Sequence, residues 1–68
     1  MPQSRPMPVI GRDCNEIRVN DGVVTWRIVY RIDRDAIVIA EVFSKKSAST
    51  PERIINTCRR RLQEYDHA

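Results

Sequence analysis

Histidine occurs once in this chain, at position 67, and cysteine twice, at positions 14 and 58. The two thiols lie far apart, form no Cys-x-x-Cys pair and have no histidine at metal-ligand spacing. Neither a structural metal site nor a disulfide framework is expected, and both cysteines read as reduced thiols. No apolar run approaches the length that crosses a bilayer, and Met1 to Pro8 carries three prolines without the apolar stretch of a signal peptide. The expected location is the cytoplasm, with no membrane partner and no cofactor. Internal repeats and low-complexity segments are also missing. What remains is one small domain of 68 residues. A chain of this size buries only about 60% of the surface its unfolded form exposes, so its stability is marginal unless a partner contributes. A net charge of +3 with a pI near 9.3 suits an anionic partner, either RNA or an acidic protein surface.

The chain divides into an extended arm over residues 1–12, an antiparallel sheet over 14–45 and a helix over 51–65. Proline removes donors and biases the preceding residue away from the helical region, so the arm with Pro2, Pro6 and Pro8 is not a helix. Glu16-Ile17-Arg18-Val19 alternates with period two, and Asn20-Asp21-Gly22 is a hairpin signal because glycine and Asn/Asp tolerate positive φ. A second strand runs from about Val23 to Ile32. After Asp33-Arg34-Asp35, a third, rich in Ile, Val and Phe, runs from Ala36 to Ser44. Ser49-Thr50-Pro51-Glu52 announces a helix, with Thr50 capping before Pro51 or Ser49 capping with Glu52 in a capping box. Ile54, Ile55, Cys58, Leu62 and Tyr65 fall on one stripe at helical spacing. The expected fold class is α+β: a three-stranded antiparallel meander with a C-terminal α-helix.

Two-residue turns at Asp21-Gly22 and Arg34-Asp35 would pair Glu16 with Arg27, Arg18 with Thr25, Val29 with Ala40 and Arg27 with Val42. On that register one face carries Ile17, Val19, Val24, Trp26, Ile28, Tyr30, Ile32, Ile37, Ile39 and Phe43, with Glu41 as an interruption, and is expected to be the core. The other carries Glu16, Arg18, Thr25, Arg27, Val29, Arg31, Val38, Ala40, Val42 and Ser44. One helix cannot cover both sides of the sheet. Leaving Trp26, Ile28, Tyr30, Ile39 and Phe43 in water would forfeit on the order of 5 to 10 kcal/mol, which predicts a homodimer or an obligate partner at the apolar face.

The whole set resembles the phage-derived RelE/HigB-like toxins of bacterial type II toxin–antitoxin systems. The residues that carry the likeness are Arg12 to Val19, the Asp-Gly turn, Trp26-Arg27-Ile28-Val29-Tyr30-Arg31-Ile32, Ala36 to Ile39, Val42-Phe43-Ser44-Lys45-Lys46, and a basic helix ending Arg61-Leu62-Gln63-Glu64-Tyr65. The likeness extends over about Pro6 to Tyr65 and rests on order and spacing. It implies an N-terminally short, RelE-like member without the helical hairpin that relatives carry ahead of the first strand. It also implies a metal-independent endoribonuclease that cleaves mRNA at the ribosome, and a cognate antitoxin, of helix-turn-helix type, that blocks it. By resemblance the catalytic positions are Arg27 and Lys46, and the RNA-binding positions Arg18, Arg31 and Lys45, with Glu16 beside Arg18. Attack of a 2′-hydroxyl on the adjacent phosphate builds a pentacovalent oxyanion, which arginine and lysine donors can stabilise without a metal. Arg27 is then the main phosphate ligand and Lys46 meets the developing charge.

Blander roles stand beside these. Trp26 and Tyr30 read as packing residues, Cys58 as a small core residue, and Arg27 opposite Glu16 as a cross-strand ion pair. Tyr65 and His67, the downstream acid or base candidates, read as solvated residues. Two alternative functions remain open: a non-catalytic, truncated relative that binds an antitoxin or itself, and an RNA-binding module that does not cleave.

Overall fold

The computed structural model of the protein describes residues 3–44 and 50–67. In chain order these form β1 (Gln3–Pro6), β2 (Cys14–Asn20), β3 (Thr25–Ile32), β4 (Ile37–Ser44) and α1 (Glu52–Asp66). The strands make one antiparallel sheet in the order β1-β2-β3-β4. The class is α+β, with four strands where the sequence pattern suggested three. The extra strand comes from the supposed arm: Gln3 to Pro6 pairs with Asn15 to Arg18 at the sheet edge. Four residues are too few for alternation to declare a strand, and proline is tolerated on an edge because its missing donor faces no neighbour. Past the strand the chain folds back, with the Met7 amide donating to the Cys14 carbonyl at 2.8 Å. That reversal carries Met7 and Ile10 into the core.

Of the two later connections, the second is the tight turn expected at Arg34-Asp35, and the first is displaced by one residue from Asp21-Gly22. Asn20 lies opposite Thr25 and the Asp21 amide donates to the Val24 carbonyl at 3.1 Å, which centres the first turn on Gly22-Val23. Ile32 lies opposite Ile37 and the Asp33 amide donates to the Ala36 carbonyl at 2.8 Å, which closes the second around Arg34-Asp35. Asp21 organises the first loop by accepting from the Val24 and Val23 amides at 2.8 and 3.2 Å, while Gly22 supplies the positive φ of 95°. Arg18 therefore opposes Arg27, and Glu16 opposes Val29. A slip of two residues leaves the face assignments between β2 and β3 unchanged. Between β3 and β4 a bulge alters them. Val29 opposes Glu41 and Tyr30 opposes Ile39, so Ala40 is the extra residue. Beyond it Glu41 and Phe43 share the face of Val29 and Arg27, and Val42 moves to the other side.

The covered face is the reverse of the expected one. The core consists of Met7, Ile10, Cys14, Val29, Ala40, Ile54, Cys58 and Leu62, with Val38, Phe43 and Ile55 packed against it. α1 thus lies on the Glu16–Arg27–Val29 side, and the face bearing Trp26, Ile32, Ile37, Ile39 and Val42 stays exposed. The physical reason is the fit between surfaces. The chosen face offers Cys14, Val29 and Ala40, small enough for a helix to approach, and its polar groups meet partners on the helix. The Arg61 guanidinium donates to the Ala40 carbonyl at 2.9 Å and stands 3.1 Å from the Glu41 carboxylate. Arg31 on β3 reaches Asp66 in the last turn at 2.7 Å. Total apolar area, which favoured the opposite face, does not decide the matter.

The helical stripe is as expected at Ile54, Cys58 and Leu62, while Tyr65 is half-exposed. The cap is not. Pro51 occupies the N-cap with extended geometry and no side-chain cap bond, because the Thr50 hydroxyl is turned towards β2. Ser49, the other expected cap, lies outside the described residues. Among the described residues no helix is long and apolar enough to cross a membrane. If α1 is held mainly through its buried stripe, Leu62→Ala costs about 2 to 5 kcal/mol of unfolding free energy in urea titrations. A loss under about 0.5 kcal/mol would contradict the placement of Leu62 in the core.

Candidate nucleic-acid interface

Where α1 begins, three strands and the helix leader converge on Glu16. Its side chain is 2% exposed, and Arg27 on the neighbouring strand is 3% exposed. Arg27 donates from Nη1 to Glu16 Oε1 at 2.8 Å, and the Thr50 hydroxyl donates to Oε2 at 2.7 Å. Arg5 on β1 brings its Nε to 3.6 Å from Oε1. Register puts Arg5 opposite Glu16 and Arg18 opposite Arg27, so the cations cluster because antiparallel pairing stacks these positions across the sheet. Ser4, Arg5, Glu16 and Arg18 line a recess of about 90 Å³, room for more than one water molecule. Arg18 is exposed beside it and Arg5 is half-exposed. Three arginines around one carboxylate leave the corner cationic, and the positive end of α1 adds to that field.

A larger groove of about 630 Å³ lies at the other end of α1. There Arg12, Arg31 and Arg59 face Asp13, Asp33 and Asp66, so the charges balance and the groove offers no net attraction to an anion. Arg31 belongs to this end. Its Nε and Nη2 bind Asp33 at 2.7 and 3.0 Å, its Nη1 and Nη2 bind Asp66 at 3.0 and 2.7 Å, and it stacks 5.8 Å from the centre of the Tyr65 ring. All three nitrogens are thus engaged by carboxylates, which hold the guanidinium charged well above its ordinary range.

Of the five residues singled out from the sequence, Arg18 and Arg27 lie together at the corner and Arg31 lies at the opposite end of the helix. Lys45 and Lys46 fall outside the described residues. Tyr65 and His67 stand at the C-terminal end of a 15-residue helix, about 22 Å along its axis from the corner. Sequence reasoning missed Arg5 and the role of Thr50. Arg5 was hidden in a proline-rich segment, and Thr50 carried a capping signal that also fits a hydroxyl donor to a carboxylate.

The sequence profile of the phage-derived Gp49-like proteins (DUF891) matches residues 2–63. The chain belongs to that family. Comparison with curated proteins and with solved structures gives no match. In this Gp49-like protein no group of His, Cys, Asp and Glu among the described residues is arranged to hold a metal ion.

Burial alone would raise the pKa of Glu16. The hydrogen bonds from Thr50 and Arg27, with the charges of Arg27 and Arg5, outweigh it and bring the carboxyl below its ordinary value of 4.5. A carboxyl whose folded pKa is lowered stabilises the fold above its unfolded pKa, and that contribution is lost as pH falls through the folded value. The stability difference between the Gp49-like wild type and Glu16→Gln is therefore largest near neutral pH and shrinks below about pH 4. Arg27→Ala, which strands a buried carboxylate, costs about 3 to 5 kcal/mol at pH 7. Denaturant titrations at several pH values test both, and a pH-independent Glu16→Gln difference would refute the ionic account of the corner.

Proposed function

We propose that this chain is a translation-inhibiting toxin that cleaves mRNA without a metal, held in check by a cognate antitoxin. The observation that carries the reading is the corner at the start of α1, where exposed Arg18 and half-exposed Arg5 flank the buried Glu16–Arg27 pair. Membership of a phage-derived family and the sequence resemblance to RelE/HigB-like toxins agree with it. In this reading Arg5, Arg18 and Lys45 bind the RNA backbone through charge-assisted contacts to phosphate oxygens. The 2′-hydroxyl attacks the adjacent phosphorus, the new O2′–P bond forms as the P–O5′ bond breaks, and the ends are a 2′,3′-cyclic phosphate and a 5′-hydroxyl. Lys46 meets the charge that develops on the non-bridging oxygens. Arg27, with almost no exposed surface, acts by fixing the Glu16 carboxylate against which Arg5 is set.

A second reading, a binding protein without nuclease activity, is favoured by the apolar sheet face left open to solvent. The two are separated in a bacterial cell-free translation system. The nuclease reading expects new 5′-hydroxyl mRNA ends and arrested synthesis with the wild type, and cleavage reduced by at least about tenfold in Arg18→Ala, a change at an exposed position. Arg27→Ala is unsuitable for this test because it strands the buried Glu16 carboxylate, so lost activity and lost stability could not be told apart. Salt-sensitive binding of RNA with intact message would leave only the cationic surface, and normal translation with no RNA bound would overturn the proposal.

A further inference from the structure

The sheet face opposite α1 is apolar from one edge strand to the interior. Directly opposed pairs Ile32–Ile37, Tyr30–Ile39 and Ile28–Val42 join β3 to β4, and Ile17–Ile28 and Val19–Trp26 join β2 to β3. Ile37 is 65% exposed, Ile39 61%, Ile32 51%, Val42 49% and Trp26 39%. Those five side chains alone present about 500 Å² of apolar surface, near the upper end of what monomers leave uncovered. Two such patches brought together bury about 1,000 Å² from these side chains alone, the lower limit of a specific interface, and the partly exposed Ile17, Val19, Ile28 and Tyr30 on the same face add to it.

Its chemistry points to a particular occupant. No strand residue facing this side is charged among the described residues, and the polar tips that border it are already engaged: Tyr30 Oη with Ser4 Oγ at 2.9 Å, and Trp26 Nε1 donating to Asp21 at 3.2 Å. A surface without charge meets an identical surface with no repulsion and no desolvated ion, although the protein as a whole carries +3. β-Branched side chains on a twisted sheet also suit the aligned packing of two sheets about 10 Å apart. We infer that two copies of this chain associate through these faces into a β-sandwich, with the two helices and both cationic corners on the outside. The association is independent of whether the corner cleaves RNA.

Sedimentation velocity of the full chain over about 1 to 200 µM tests the inference. The wild type should move from a 7.9 kDa monomer to a dimer of twice that mass. Its dissociation constant should change less than about threefold between about 50 and 500 mM salt, since no ion pair crosses the interface. Ile39→Lys places a charge in the centre of the patch at an exposed position. It should raise the dissociation constant by at least about 100-fold while its far-ultraviolet circular dichroism stays that of the wild-type fold. Arg53→Glu, on the exposed side of α1, should leave dimerisation unchanged. Trp26 emission should shift to shorter wavelength on association in the wild type and not in Ile39→Lys. A wild type that remains monomeric throughout overturns the inference, and so does a dimer that survives Ile39→Lys or dissociates in Arg53→Glu.

Discussion

A single buried carboxylate ties four segments of the chain together. Glu16 on β2 is held by Arg27 from β3, by Arg5 from β1 and by Thr50 from the helix leader. An ionised group with this little solvent around it is tolerated only while its partners are in place, since removing one leaves a desolvated charge without compensation. The sheet edge, the central hairpin and the start of α1 therefore depend on each other through one residue. That dependence makes a short N-terminal strand of four residues part of the fold, and it fixes the positions of Arg5 and Arg18 at the candidate interface.

Polar contacts also decide which side of the sheet the helix takes. Along α1 the covered face offers Glu16, Glu41 and Arg31, and the helical segment answers with Thr50, Arg61 and Asp66. The bulge at Ala40 is part of the match, because it turns Glu41 and Phe43 to the covered side and removes Val42 from it. Small residues at the centre then permit close approach, and Val29 and Cys58 are fully buried where the two layers meet. The bulky, uncharged face has no such complement within the described chain.

Much of this was legible in the residues. The positions of β2, β3 and β4, the helix and its buried stripe followed from period-two and period-3.6 patterns that are local properties of the chain, whereas β1 did not. The side of the sheet that is covered did not follow, because ranking faces by apolar content ignores the ion pairs that make a polar face buriable. Nor did the bulge, whose extra residue Ala40 gives its carbonyl to Arg61, 21 positions away in sequence. At the candidate interface Arg18 and Arg27 were visible as cations on one face of the sheet, but the register that sets them opposite each other was not, since Arg18 was expected opposite Thr25. Arg31 shared their alternation but is drawn to the far end of α1 by two aspartates, one of them distant in sequence.

Cys58 lies at 0% exposure between helix and sheet, where burial, with the nearby Glu41 charge, pushes its thiol up to about 11. At neutral pH the group is then held as the unreactive thiol, and the sulfur is out of reach of reagents while the layers stay closed. Alkylation at this position is gated by separation of α1 from the sheet. The labelling rate of one natural side chain thus counts how often the molecule opens, a clock already built into the interior and requiring no added probe.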